Sequence, residues 1–217
     1  FPYTTLFRSM SVLHNVTLSI TGGEFVSIVG PSGSGKSTLM NIIGCLDRHD
    51  QGSYRLDGVD ISRASDNQLA TIRNTHIGFV FQTFNLLAQY SAVENVELAL
   101  LYGNAPPGAA RQKAKQILAS LGLQDRIHHK PNQLSGGQAQ RVAIARAIAN
   151  SPALILADEP TGSLDSKTGI EVLAMFKHLN QEGKTVVIVT HNPDIARQAQ
   201  RVISIIDGVV SEAPHEV

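Results

Sequence analysis

A glycine-rich segment at residues 30–38 brings a lysine, several hydroxyl groups and a flexible backbone together. Its spacing is G-x-x-x-x-G-K-[S/T], between apolar runs at residues 25–29 and 39–43. A strand, a turn and a helix in this order let backbone N–H groups converge on an anion. The alternative is an ordinary glycine-rich turn before a helix, but the context favours a nucleoside triphosphate site. Its members are Gly30, Pro31, Ser32, Gly33, Ser34, Gly35, Lys36, Ser37 and Thr38.

Two of these residues have chemistry that the backbone lacks. The ammonium group of Lys36 can reach the β- and γ-phosphates, and the hydroxyl of Ser37 can bind Mg²⁺. A matching carboxylate comes later, where Asp158 and Glu159 end an apolar run. Asp158 can hold Mg²⁺ opposite Ser37, and Glu159 can polarise an attacking water. Two acids can also simply mark the end of a buried strand, but beside a phosphate loop they favour catalysis.

A second glycine segment, residues 134–138, has two interpretations. Ser135 and Gln138 fit an S-x-x-Q capping box at the start of a helix. Gly136 and Gly137 are not needed for a cap and lower helix propensity, whereas close approach to an anion favours them. One chain would then hold two phosphate-binding segments, of which only the first follows a strand and carries a lysine, Lys36. A two-fold dimer, in which each chain completes the other's site, would resolve this imbalance.

Composition excludes several classes of protein. The 217 residues suffice for one α/β domain with a subdomain. The formal net charge of +0 argues against a nucleic-acid partner, because no overall positive field attracts phosphate. The single cysteine, Cys45, excludes an internal disulfide. No apolar run approaches the ~20 residues that span a bilayer, so we expect any membrane role to depend on a partner.

The order of patterns predicts an α/β fold with mainly parallel strands. Residues 12–20 alternate between polar and apolar near their end, as in a half-buried strand, and Asp57-Gly58 indicates a hairpin. Near-continuous apolar runs at residues 153–157 and 185–189 are typical of buried parallel strands. Helices are predicted at residues 138–150 and 166–182, and a second hairpin closes the chain around Asp207-Gly208.

Residues 85–139 have helical spacing without strand signals, and include a predicted helix at 109–121 that follows a break at Pro106-Pro107-Gly108. We interpret them as a helical subdomain inserted into a core of residues 10–84 and 140–217. The predicted fold class is therefore a phosphate-loop NTPase core with an antiparallel β part and an α-helical insertion. Residues 1–9 fit none of these patterns, and we expect a non-native or replaced leader there.

Several motifs in order carry a family resemblance from Val12 to Val210. GPSGSGKSTLMNIIGCLD is followed by IGFVFQTFNLL, by KPNQLSGGQAQRVAIARA and by ILADEPTGSLD. This set resembles the ATPases of ATP-binding-cassette (ABC) transporters. Within the family, the segments look most like the macrolide-exporter and lipoprotein-releasing types.

The resemblance implies a role for each matching residue. Lys36 would contact the β- and γ-phosphates of ATP, and Ser37 and Asp158 would hold Mg²⁺. Gln82 would contact the Mg²⁺ and the attacking water, and would link the core to the insertion. Glu159 would be the general base. Read alone, Gln82 would be only a polar residue at a strand end.

Further roles concern the interface between two cassettes. The segment of residues 135–138 would bind the γ-phosphate of ATP held by the partner chain, through Ser135, Gly136 and Gly137, with Gln138 in the same cofactor-binding segment. Asp165 would belong to a loop crossing the interface, and His191 would sense the γ-phosphate. Each has a structural alternative, since Asp165 can cap the next helix and His191 can be a structural residue before an Asn192-Pro193 helix start.

The sequence departs from the family pattern at three places. Ala139 stands where glutamine is usual, and Asn192 stands where aspartate is usual after the histidine. An aromatic residue that stacks on adenine is also expected near the N-terminus. Tyr3 or Phe7 could serve only if the leader folds back.

The implied protein is an ATP-hydrolysing subunit that powers a membrane transporter, with ATP and Mg²⁺ as cofactors. The partners would be a second cassette in a homodimer and a membrane permease subunit, at the cytoplasmic face of the membrane. One alternative is an ATP-dependent regulatory module on a membrane partner without substrate transport. A cassette that acts on DNA or ribosomes is disfavoured by the neutral charge.

Overall fold

The computed structural model of the protein describes residues 12–212. The predicted leader, Tyr3, Phe7 and the first residues of the predicted domain lie outside this range. The strands are β1 Phe25–Val29, β2 Arg55–Leu56, β3 Val59–Asp60, β4 Ile77–Phe81, β5 Leu154–Asp158, β6 Thr185–Val189, β7 Arg201–Ile206 and β8 Val209–Glu212. The α-helices are α1 Lys36–Ile43, α2 Asp66–His76, α3 Ala92–Tyr102, α4 Pro107–Ser120, α5 Gly136–Ile148, α6 Ser166–Gln181 and α7 Pro193–Ala196.

A six-stranded sheet in the order β4-β5-β6-β1-β7-β8 forms the centre of the described chain. Its neighbours pair in parallel, except for the antiparallel pair β7 and β8. The mainly parallel sheet, the buried strands β5 and β6, and the closing hairpin confirm the predicted fold class. The short pair β2 and β3 confirms the hairpin at Asp57-Gly58.

Both faces of the sheet are covered by helices. Along β6, Val187 and Val189 pack in one cluster with α1 and α2, whereas Val186 and Ile188 pack in another with α5 and α6. Successive side chains of a strand point to opposite faces, so a strand with two covered faces must be apolar throughout. This explains the uninterrupted apolar runs in the sequence.

Helices α3 and α4 have an apolar cluster of their own. It joins them to one face of α5, through Val142, Ala145 and Ala149. The amide of Asn150 adds polar links, because its Nδ2 donates to the carbonyl oxygen of Ala99 at 2.9 Å and to Oδ1 of Asn74 at 2.9 Å. Since α5 contributes to this cluster and to the core, it runs across the predicted boundary at residue 139, and the division into core and insertion stays a prediction.

The structure differs from the sequence analysis at three places. Residues 12–20 form no strand ladder in the described chain, so that prediction was wrong, although Val16, Leu18 and Ile20 do pack against the core while their neighbours are exposed. Helix α2 was missed because its periodicity is weak and only Leu69 is fully buried. Pro107 does not break a helix but begins α4, where its missing N–H costs nothing.

Gly78 shows how closely the sheet and α5 pack. A Cβ atom at this position would lie 2.4 Å from the carbonyl oxygen of Ala147. We expect Gly78→Ala to lower the free energy of unfolding by about 1–3 kcal/mol, because β4 and α5 must separate. Urea unfolding measures this. Gly108→Ala is the matched control, since nothing lies within 4 Å of its Cβ position, and equal midpoints for the two variants would contradict the packing argument.

Candidate active site

The phosphate loop connects the buried strand β1 to the N-terminus of α1. Gly33 and Gly35 adopt φ angles of 79° and 103°, the left-handed conformation that glycine tolerates. Gly30 is required for a different reason, because a Cβ atom there would lie 2.1 Å from the carbonyl oxygen of Ile205. The chain thus turns tightly against β7 before the helix begins.

Polar groups of the loop are arranged around its interior. The Lys36 ammonium donates to the carbonyl oxygens of Gly30 at 2.8 Å and Pro31 at 2.7 Å. Ser34 is buried, and among the described residues its Oγ has no hydrogen-bond partner. The N-terminus of α1 carries no side-chain cap in the described chain. A positive charge, an unsatisfied hydroxyl and uncapped backbone N–H groups together favour an anion.

Asp158 and Glu159 stand at the carboxyl end of β5, as predicted. Burial raises the pKa of the Asp158 carboxyl, and the neighbouring Glu159 raises it further, while the ammonium of Lys36 lowers it. A carboxyl group in this position is stabilised in its ionised form by any additional cation. The role of Asp158 in holding Mg²⁺ stays a prediction. Ser37, its predicted partner in that role, lies on the exposed first turn of α1.

Glu159 is held in an unusual conformation. Its φ is 43°, which is uncommon for a residue other than glycine, and its N–H donates to the carbonyl oxygen of Val189 at 2.9 Å. Its carboxylate receives three contacts from the residues after β6. Oε2 accepts from the Thr190 hydroxyl at 3.0 Å, and Oε1 accepts from the His191 N–H at 2.8 Å and lies 2.5 Å from His191 Nδ1.

Glu159 and His191, which the sequence places far apart, are therefore in direct contact. Only 14% of the Glu159 side chain is exposed, whereas 72% of the His191 side chain is. An ionised carboxylate offers about four acceptor positions, so three contacts leave little capacity for a water molecule. The His191 ring is the exposed member of this set.

Gln82 lies at the carboxyl end of β4, beside the loop that follows Glu159. A Cβ atom on Gly162 would lie 2.7 Å from its Nε2, and Ser163 Oγ donates to its carbonyl oxygen at 3.2 Å. The next turn is strained, because Phe84 and Asn85 both have positive φ angles, of 62° and 49°.

Arg146 of α5 holds this strained turn. Its guanidinium donates to the carbonyl oxygens of Asn85 at 2.5 Å and Phe84 at 3.0 Å. The chain leaves the core here and enters the helices α3 and α4. Arg146 thus joins the segment after Gln82 to the helix that begins at residue 136.

The segment of residues 135–138 forms the capping box that the sequence allowed. Ser135 Oγ accepts from the Gln138 N–H at 3.3 Å, and Gln138 Oε1 accepts from the Ser135 N–H at 3.0 Å. Gly137 also has an internal reason, because a Cβ atom there would lie 2.3 Å from Cγ2 of Thr168. Gly136 is exposed. Capping and packing thus account for part of this segment, and its role in binding a partner's phosphate stays a prediction.

Asp165 and Asn192 both act as helix caps. Asp165 Oδ1 accepts from the Thr168 N–H at 3.0 Å at the start of α6, and this bonding lowers the pKa of the exposed Asp165 carboxyl. Asn192 Oδ1 accepts from the Asp194 N–H at 2.8 Å at the start of α7. The asparagine that departs from the family pattern therefore retains a capping function.

Sequence reasoning missed three side chains that support the site: Arg146, Thr190 and Gln140. Gln140 is fully buried on α5, and its Nε2 donates to the carbonyl oxygen of Pro160 at 2.7 Å. A buried polar residue inside an apolar helix was the available signal. Arg146 and Thr190 had a weaker signal, since each is one polar residue beside an apolar run.

Comparison with known proteins identifies the family. The family model described as "ABC transporter" matches residues 13–162. The ABC transporter ATP-binding protein YvrO of Bacillus subtilis is 54% identical over 93% of this chain and 88% of its own length. The chain belongs to the ABC transporter family. It is an ATP-binding cassette, the ATPase component of such transporters, which confirms the resemblance seen in the sequence.

Two further matches are a longer ATP-binding/permease protein and a dimeric cassette. The macrolide export ATP-binding/permease protein MacB of Photorhabdus laumondii is 52% identical over 97% of this chain, which spans only 33% of that protein's length. A solved dimeric structure of the cassette MJ0796, in a post-hydrolysis state bound to ADP and Pi, matches with a TM-score of 0.85 and 48% identity over 94% of each chain.

The contact between Gln140 and Pro160 can be tested by its contribution to stability. Gln140→Met keeps the shape but leaves the Pro160 carbonyl without its donor, while it also removes the Oε1 that is buried without a partner. Because these effects oppose each other, we expect the free energy of unfolding to fall by about 1 kcal/mol in urea.

Gln116→Met, at an exposed position of α4, is the control for this substitution and should stay within about 0.5 kcal/mol of the parent. If both variants unfold at the same urea concentration, the bond to Pro160 does not stabilise the loop after Glu159.

Proposed function

We propose that two copies of this cassette bind ATP between them and hydrolyse it to drive a membrane transporter. The observation that carries the proposal is the contact between Glu159 and His191. It lies at the carboxyl ends of the parallel strands, where the phosphate loop follows β1. A potential base and a potential phosphate sensor are thus joined beside an anion site.

Binding of ATP begins at the phosphate loop. Backbone N–H groups of residues 33–38, at the start of α1, donate to oxygens of the β- and γ-phosphates, and Lys36 exchanges its two carbonyl acceptors for phosphate oxygens. The exchange favours ATP because an ionised acceptor binds an ammonium more strongly than a carbonyl does. The loop is already shaped for the anion, so little reorganisation is needed.

Mg²⁺ fits the oxygen donors present. Ser37, Gln82 and Asp158 would hold it, and all three offer oxygen, the ligand type that this ion prefers. Within residues 12–212, no group of three or more His, Cys, Asp or Glu side chains could hold a metal ion alone. This suits an ion that is bound by few protein groups and by substrate phosphates. When bound, Mg²⁺ would neutralise charge on the phosphates.

Glu159 acts as the general base. A water molecule attacks the γ-phosphorus, the new P–O bond forms as the bond to the bridging oxygen of ADP breaks, and the water proton passes to Glu159. In the observed contact, the His191 ring covers Oε1 of Glu159. Movement of this exposed ring towards the γ-phosphate frees Oε1 for the water, so that binding of ATP and exposure of the base are coupled.

A second copy of the chain completes each site. Ser135, Gly136, Gly137 and Gln138 lie at the N-terminus of α5, where backbone N–H groups suit an anion. Asp165, the N-cap of α6, would belong to the loop that crosses the interface. The dimeric state of the cassette MJ0796 supports a homodimer for this chain. Binding of ATP between two chains then links hydrolysis to the approach of the subunits.

A membrane permease subunit is the second partner. Between residues 12 and 212, no helix is both long and apolar enough to cross a bilayer. A cavity of about 350 Å³ lies between the sheet and the helices α2, α3 and α5, and its lining includes Arg73, Phe81 and Asn150. We place the permease contact there, because the cavity touches the core and the helices after Gln82. The cassette would then lie at the cytoplasmic face of the membrane.

Similarity to MacB favours export of macrolide-type compounds, and lipoprotein release is the related possibility that the motif resemblance raises. The alternative is a regulatory module that signals through ATP-dependent dimerisation. Both would use the same site chemistry.

The general base is tested with Glu159→Gln, which keeps the shape of the side chain but cannot take a proton. We expect it to bind ATP and to dimerise, while MgATP hydrolysis falls about 10²–10⁴-fold. Phosphate release and size-exclusion chromatography with ATP measure the two effects. Glu182→Gln, at the exposed end of α6, should hydrolyse ATP like the parent, and hydrolysis at the parent's rate by Glu159→Gln would remove Glu159 from this role.

Transport is tested with the permease that co-purifies with the cassette. We expect vesicles containing both proteins to extrude a macrolide when ATP is supplied, and Glu159→Gln to abolish extrusion. Efflux is measured with and without ATP. Hydrolysis that responds to the permease without any movement of substrate would contradict transport and support the regulatory alternative.

A further inference from the structure

Among the described residues that contact the Glu159 carboxylate, Thr190 is the buried one, whereas the His191 side chain is exposed. Thr190 follows the last residue of β6, and its exposed fraction is 0%. Its Oγ1 donates to Glu159 Oε2 at 3.0 Å and accepts from the Asn192 N–H at 3.1 Å. A hydroxyl has one proton, so accepting from Asn192 leaves that proton directed to the carboxylate.

We propose that Thr190 is the positioning residue that orients the Glu159 carboxylate for proton transfer. The inference rests on the proposed role of Glu159 as the base. Thr190 itself does not touch the substrate. It holds Oε2, so that the proton from the attacking water is received by Oε1.

The physical reason is that Glu159 needs external support. Its φ of 43° is sparsely populated and has to be stabilised by its surroundings. The backbone N–H is fixed by Val189, but that bond does not orient the side chain. Of the side-chain contacts, the His191 ring is exposed, whereas Thr190 is a β-branched residue with a restricted χ1 in a buried site. Thr190 is therefore able to retain Oε2 when the ring moves.

The same hydroxyl joins both sides of His191. It donates to Glu159, which His191 also contacts, and it accepts from the N–H of Asn192, the residue after His191. The His191 N–H also donates to Oε1, so the backbone near the ring is fixed while the ring can rotate. This arrangement lets the ring leave the carboxylate without displacing the carboxylate itself.

A purely structural role makes a different prediction. If Thr190 serves only the Asn192 N–H, removing the hydroxyl lowers stability and leaves the turnover of the folded protein unchanged. Thr190→Val removes the hydroxyl at nearly constant shape, and Thr190→Ser retains it. Thr185→Val is the control, because Thr185 is also buried and begins β6, where its Oγ1 accepts from the Gly23 N–H, away from Glu159.

The experiment measures kcat and KM for MgATP with the full chain, together with urea unfolding. We expect Thr190→Val to lower kcat about 10- to 100-fold with KM changed less than about threefold, since a hydrogen bond to a charged group is lost. Thr190→Ser should restore kcat, and Thr185→Val should retain it. In the Glu159→Gln background, Thr190→Val should cause no further loss, because the two residues act together.

The outcomes separate this inference from the proposed function. A parent-like kcat for Thr190→Val, with Glu159→Gln inactive, overturns the inference and leaves the base assignment intact. Active Glu159→Gln overturns the base assignment itself. If Thr190→Val does not fold, Thr190→Cys replaces the hydroxyl by a thiol, a weak donor that still leaves a polar atom beside the Asn192 N–H. The same loss of kcat is expected, and a parent-like kcat in that variant also overturns the inference.

Discussion

The in-register parallel pairing of β4, β5 and β6 is the constraint on which the site depends. Phe81 pairs with Asp158, and Asp158 pairs with Val189, so these three strands end at the same level. The next residues are Gln82, Glu159 and Thr190, and the pairing brings them to one edge. A slip of one residue would turn each side chain to the other face of the sheet and separate the groups.

Two covered faces make this register difficult to change. Alternate residues of β5 and β6 pack against α1 and α2 on one side and against α5 and α6 on the other. The sheet therefore acts as a rigid frame, and the polar groups occupy the turns at its end. These turns include residues with positive φ angles, namely Glu159, Phe84 and Asn85, and Arg146 holds the carbonyl oxygens of Phe84 and Asn85.

The supporting contacts also explain how one helix can affect several parts of the site. Helix α5 begins with the capped segment of residues 135–138, places Gln140 against Pro160 and places Arg146 against the turn after Gln82. A partner bound at the start of α5 and a permease bound beside α5 would thus both act on one rigid element. A shared rigid element of this kind gives a direct physical route by which binding at one site can affect the other.

The sequence by itself determined the fold class, the phosphate loop and the family, because these depend on local spacing. The order of glycines, Lys36 and Ser37, the apolar runs of β1, β5 and β6, and the motif at residues 134–138 can all be read without a structure. Helix caps could also be predicted, because Ser135, Asp165 and Asn192 each accept from a backbone N–H two or three residues further along the chain. Local patterns failed where regularity was weak, as in α2 and residues 12–20.

The tertiary structure alone decided which residues share the site and how they are held. Glu159 and His191 are 32 positions apart, and no spacing rule predicts that Nδ1 and Oε1 meet. Thr190, Gln140 and Arg146 resemble ordinary polar residues until their partners are known. The need for Gly137 against Thr168 was also hidden. The physical reason is the same in each case: hydrogen bonding and close packing depend on distances between elements, and these are set by the sheet register and by helix packing rather than by neighbours along the chain.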